Sequence, residues 1–211
     1  NGTMGAHEML IHDEWFQGIR FDKHLYRPLV YMTEKDDNGQ KPYVDRVSGL
    51  PWLRVTPQPL NDGEKQFVDD LRQYCENHAE KFAGKELFLL RNQSRKGVGF
   101  FTDAGFYPDF IMWIKDGKKQ YVVFLDPKGI VHLPDGIASP KILLYKRLKE
   151  KTMPRLKDKN LVLDSFILSV SPYNKLRWNQ KPLKQTMQEN HVLFMSDEGY
   201  LDELFESCIN D

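Results

Sequence analysis

The chain has 211 residues, enough for one to one and a half domains, and its 40% apolar content with thirteen Phe, nine Tyr and four Trp is that of a globular protein with a real core. No apolar run exceeds about five residues, which excludes a membrane-spanning helix, and no charged, apolar and small-residue signal opens the chain. Thirty basic and thirty acidic residues leave a formal net charge of zero, and the two cysteines, Cys75 and Cys208, are far apart without metal-ligand spacing, as expected of a reduced, cytoplasmic setting.

Zero net charge hides a segregation. Residues 139–185 hold twelve Lys/Arg against three acids, a balance of +9, whereas residues 186–211 carry seven acids and no Lys or Arg. A basic block of this kind suits a polyanion, and lysines that merely solvate a surface explain it equally well.

In chain order, residues 1–9, with Met4 internal, read as a candidate expression remnant. Residues 10–57 lack clear periodicity and are punctuated at Asp36-Asp37-Asn38-Gly39 and Gly49-Leu50-Pro51, so they are expected to form short strands in an extension packed on the core. The main domain is expected over 58–211. Asn61-Asp62-Gly63 opens a helix whose stripe is Phe67, Leu71, Cys75, His78 and Phe82, and Gly84 stops it. Three strand candidates follow at Glu86–Asn92, Phe106–Ile114 and Gln120–Pro127. Ser139-Pro140 supplies an N-cap and a first-turn proline for a second helix with Ile142, Leu144, Tyr145 and Leu148 on its apolar face. Leu161–Val170 is a further strand, His191–Met195 a shorter one, and Leu201, Leu204, Phe205 and Cys208 mark a closing amphipathic helix. Helix, three strands, helix, strand is the order of an α/β sheet domain.

Chemistry concentrates on one predicted hairpin. Phe110–Ile114 and Tyr121–Leu125 are apolar runs joined by an Asp116-Gly117 turn signal. With Asp116 and Gly117 as the loop, Lys115 pairs with Lys118 and Asp109 falls opposite Phe124. Side chains alternate with period two, so Asp109, Asp126 and Lys128 share one face, the carboxylates being diagonal neighbours roughly 7 Å apart. Two acids and an ammonium at one strand end fit a hard divalent cation and a phosphate ester. Pro127, lacking a donor, is expected to mark the point where this strand leaves the sheet.

Pro108-Asp109 followed by Asp126-Pro127-Lys128, on a hairpin with helices before and after it, resembles the bipartite motif of the PD-(D/E)XK nuclease superfamily. More narrowly, Leu89-Leu90-Arg91-Asn92, Gly105-Phe106-Tyr107-Pro108-Asp109-Phe110 and Phe124-Leu125-Asp126-Pro127-Lys128-Gly129 look like the endonuclease region that closes large helicase-type restriction and phage-defence proteins. The resemblance covers residues 60–170 best. It implies a restriction-endonuclease-like αβββαβ core with a mixed central sheet. It also implies DNA phosphodiester hydrolysis by water activated on Mg²⁺, with Mn²⁺ as a substitute. On this resemblance Asp109 and Asp126 are metal ligands and Lys128 is the catalytic lysine, with DNA and a helicase region of the same polypeptide as partners. Two rivals stay open: a nuclease-like module that binds without cutting, and a repair or RNA-cutting nuclease.

Many members of that superfamily add a glutamate from the first helix. A helical wheel sets Glu64 on the Phe67/Leu71/Cys75 face, with Glu76 and Glu80 on the solvent side. Glu64 is therefore the candidate further ligand, or a first-turn acid favoured by the helix dipole. Gln120 shares strand parity with Asp126 and Lys128 and is a candidate for substrate or water. Arg91 and Asn92 end a strand near the same sheet edge as candidate phosphate contacts, and Lys146 and Arg147 are candidate DNA contacts on the second helix. Gly97-Val98-Gly99 lacks the spacing of a phosphate loop.

Overall fold

A computed structural model describes residues 60–92, 98–100 and 106–209. The candidate remnant at 1–9 and the extension expected over 10–57 lie outside the described residues. The described part is mixed α/β. Helix α1 (Asp62–Asn77) is followed by strands β1 (Lys85–Arg91), β2 (Phe110–Asp116) and β3 (Lys119–Lys128). Helix α2 (Leu144–Arg147), continued by a π turn over Leu148–Thr152 and a 3₁₀ turn over Met153–Arg155, leads to β4 (Leu161–Ser169). Helix α3 (Lys184–Glu189), β5 (Val192–Phe194) and α4 (Tyr200–Ile209) complete the order.

The strands form one mixed sheet in the order β1-β2-β3-β4-β5, antiparallel from β1 to β3 and parallel from β3 to β5. The parallel step needs a crossover, and the segment carrying α2 supplies it. Period-two alternation then assigns the two sheet faces. Leu87, Leu89, Met112, Ile114, Val123 and Leu125 pack under α1 and α4 with Phe67, Leu71, Leu204 and Phe205. Phe124 and Leu163 meet Leu144, Leu148 and Phe106 on the other face. A third cluster of Ile130, Ile142, Ile167, Met187 and Phe194 fills the end of the sheet beyond β3.

The start of α1 follows its sequence signal. The Asn61 side chain accepts from the Glu64 N–H at 2.9 Å, and Glu64 Oε2 accepts from the Asn61 N–H at 2.8 Å, a reciprocal capping box. Gly63 is needed for a different reason. A Cβ there would clash with the Val170 Cγ1 methyl, so only glycine lets the first turn of α1 lie against the end of β4. That contact brings Glu64 to the sheet end where β3 finishes.

Helix α2 starts at Leu144 with Leu143 at the N-cap, not at Ser139-Pro140, and three expectations about the hairpin also differ. The hairpin loop is Gly117-Lys118, so Asp116 pairs with Lys119 and Lys115 with Gln120. Gly117 takes φ +57° at the first loop position, as in a type II′ turn that glycine favours. Strand β2 starts at Phe110, later than expected, because Phe106 forms an isolated bridge with Phe100 and Pro108 has no N–H for a ladder. Pro127 also stays in the sheet, opposite Leu168. The carbonyl of Lys128 accepts from Val170, facing β4, so Pro127's donorless nitrogen points the other way, past the start of β2, where no ladder bond is lost.

Candidate active site

The hairpin register sets the site. Phe110 is opposite Leu125, so one residue further Asp109 stands across from Asp126 as a direct neighbour. The one-residue change in loop position keeps the parity of all three motif residues, and so their common face, while bringing the carboxyls closer than the diagonal arrangement expected. The strand entering that face is held in place by Asn92. Its N–H donates to the Asp109 carbonyl at 2.8 Å, and its side chain donates to the Val98 and Pro108 carbonyls, each at 2.8 Å, and accepts from the Val98 N–H at 3.0 Å. With these bonds made, Asn92 positions the backbone on both sides of Asp109 and is not directed at a phosphate.

Asp126 is 4% exposed and its Oδ2 has no hydrogen-bond partner. Lys128 Nζ lies 3.9 Å from this oxygen, an ion pair too long for a hydrogen bond. Asp109 is half-buried and in hydrogen-bonding contact with Asp126. Burial first, and the neighbouring Asp126 second, push its carboxyl up to about 7, while Arg91 and Lys128 oppose the shift. Two carboxyls side by side repel when both are ionised, so without a metal Asp109 is only about half ionised at neutral pH.

Glu64 is buried on the sheet-facing side of α1, whereas Glu76 and Glu80 are exposed, as the wheel indicated. Its Oε2 is taken by the helix cap and by Arg91 Nη2 at 2.9 Å. Burial raises its carboxyl above the ordinary range, and Arg91 opposes this. Arg91 itself is enclosed rather than surface-exposed, stacked with its guanidinium carbon 5.0 Å from the Phe110 ring centroid, and its Nε and Nη1 lack partners. Glu64 and Arg91 thus form a buried pair beside the carboxyls, and Glu64 reaches Asp109 through its field.

Two expected contributors lie elsewhere. Gln120 has the right parity but is the second residue of β3, six residues and about 20 Å of extended strand before Asp126. Lys146 and Arg147 are exposed on the solvent side of α2, whose Leu144, Tyr145 and Leu148 face the core. The residue that reaches the site from the basic block is Lys141. Burial first, and the neighbouring Lys128 second, lower the pKa of its ammonium, while Asp126 and Asp109 oppose the shift, so it lies within electrostatic reach of all three. Its Nζ lies 5.4 Å from the Phe106 ring centroid. Only the block's position after the motif hinted at this, because Lys141 sits in an irregular turn between Ser139 and Leu143 that has no readable period.

Among the described residues no group of three or more His, Cys, Asp or Glu side chains could hold a metal ion. The available carboxyl set is the pair Asp109 and Asp126. Mg²⁺ is commonly held by one or two carboxylates and completes its octahedron with water and substrate oxygens, so a two-carboxylate set is compatible with it. The bare Asp126 Oδ2 and the elevated Asp109 are what such a cation would relieve. No helix among the described residues is long and apolar enough to cross a membrane. No protein-family model, curated protein or solved structure matches the chain.

Proposed function

We propose that the chain is a divalent-cation-dependent nuclease hydrolysing DNA phosphodiester bonds, built on a restriction-endonuclease-like core. One observation carries the reading. Among the described residues the buried side-chain atoms without a hydrogen-bond partner are Arg91 Nε, Arg91 Nη1 and Asp126 Oδ2, all at the end of the sheet where the motif residues meet. Unpaired buried polar atoms are costly, and their confinement to one strand end marks a place that a ligand completes. The order α1-β1-β2-β3-α2-β4 and the mixed sheet support the same core.

In this reading Asp109 and Asp126 hold the cation, Mg²⁺ or Mn²⁺. When bound it supplies a water of lowered pKa and offsets phosphate charge. Lys128, on the same face and partly exposed, meets a non-bridging oxygen or the attacking water and stabilises the charge that develops. Arg91 and Glu64 keep the floor of the site fixed, and Asn92 fixes the backbone of Asp109. Water adds its oxygen to phosphorus, one phosphorus–oxygen ester bond breaks, and the departing oxygen leaves with a proton as a hydroxyl. The motifs extend the reading to a nuclease region attached to a helicase in restriction or phage defence.

The test is supercoiled plasmid incubated with the purified chain in Mg²⁺ or EDTA. Nicked and linear DNA in Mg²⁺ alone is the expected result. DNA retained but uncut under both conditions would sink the hydrolytic reading in favour of a binding module.

A further inference from the structure

We propose that Lys141 is a second phosphate-binding lysine, forming with Lys128 a two-ammonium clamp on the non-bridging oxygens of the strand being cut. The inference rests on the nuclease reading and adds to it a residue from outside the motif. Lys128 ends β3, and Lys141 comes from the turn before α2, thirteen residues later. The turn is anchored by the Leu143 N–H donating to the buried Ser139's carbonyl at 3.0 Å, and by Ile142 in the core at the end of the sheet. The Phe106 ring centroid lies 5.4 Å from the Lys141 Nζ. Lys141 is thereby half-buried, within reach of the Lys128 charge.

Charge gives the arrangement its meaning. Glu64 and Arg91 cancel one another. A divalent cation on Asp109 and Asp126 cancels both carboxylates. Two adjacent ammonium groups then remain, and like charges in contact repel unless an anion lies between them. A phosphodiester supplies that anion, with one oxygen for each lysine and geometry that point charges on flexible stems can follow. Lys146 and Arg147 of the same block are exposed on α2, so general attraction by the basic surface can be tested separately from the clamp.

The experiment uses the 211-residue chain and its Lys141→Met, Lys141→Arg, Lys118→Met and Asp126→Asn variants. Lys118 sits in the hairpin loop at the far end of β3 and controls for loss of one positive charge. Affinity for a 16-base-pair duplex is measured in Ca²⁺, and cleavage of the same duplex in Mg²⁺. Lys141→Met should weaken binding and cleavage each by about 10- to 100-fold, the value of a charge-assisted hydrogen bond. Lys141→Arg should recover most of the binding, and Lys118→Met should match the parent. Circular dichroism and thermal melting check that each variant is folded, and Lys141→Arg retains the test if Lys141→Met unfolds. Unchanged binding and cleavage in Lys141→Met, with the parent active and Asp126→Asn inert, would overturn the clamp alone. Equal losses in Lys118→Met would also overturn it, by showing bulk charge to be the cause. A parent that neither binds nor cuts would overturn the nuclease reading and the clamp with it.

Discussion

Asp109 stands directly across the β2–β3 ladder from Asp126, one residue beyond the Phe110–Leu125 pair, and the two carboxyls are in hydrogen-bonding contact. A direct cross-strand pair of acids destabilises a sheet unless something positive or a proton intervenes. The strand end is therefore built around an electrostatic debt that the fold itself leaves open.

Removing either acid should separate function from stability. Asp126→Asn and Asp109→Asn are each expected to reduce plasmid cleavage by at least about 10²-fold, the usual cost of losing one group that stabilises transition-state charge. Both should melt at or above the temperature of the parent in EDTA at pH 8, because the repulsion is gone. Parent-like cleavage by either variant would contradict the assignment.

Stability should depend on pH through Asp109. Its carboxyl is raised from 3.8 to about 7, chiefly by burial and then by Asp126. The fold holds that proton more tightly than the unfolded chain does, so the stabilisation is complete below about pH 4 and is lost as pH rises through about 7. The metal-free melting temperature should fall between pH 5 and about 8, and the fall should flatten in Asp109→Asn. Mg²⁺ competes with the proton, so its stabilising shift should grow across the same range. Melting curves in EDTA and Mg²⁺ at four pH values decide this.

The Glu64–Arg91 pair is almost fully enclosed, with side-chain exposures of 5% and 10%. Arg91→Met leaves Glu64 buried without its cation and is expected to cost about 3–5 kcal/mol. Adding Glu64→Gln should restore part of that, which a double-mutant cycle in urea measures directly. Additive losses would mean that the two side chains act independently.

General DNA attraction by the basic block is tested with Lys146→Ala/Arg147→Ala. In Ca²⁺ the double variant should bind unrelated duplexes equally more weakly, with the log–log salt slope shallower by up to about 0.9 per lost contact. An unchanged slope would show that these two side chains only solvate α2.

What the sequence determined here is what depends on short-range periodicity. The Phe67/Leu71/Cys75 stripe and the Asn61 cap specify α1, because helix spacing and capping involve residues three or four apart. Alternation along β2 and β3 puts Asp109, Asp126 and Lys128 on one face whichever pair of residues turns the hairpin, since moving the loop by one position slides the partners by two and preserves parity. Parity says nothing about distance along a strand, so Gln120 shared the face and not the place. The tertiary structure alone decided the rest. Gly117's positive φ fixed the register, Val170 beside Gly63 brought Glu64 to the sheet end, and the pairing of Arg91 with Glu64 enclosed a side chain that sequence position left at an edge. Asn92 became a backbone tie, and Lys141 met Lys128 across a crossover turn. These are contacts between separately formed elements, whose approach is set by side-chain volume and packing across the sheet rather than by any local repeat.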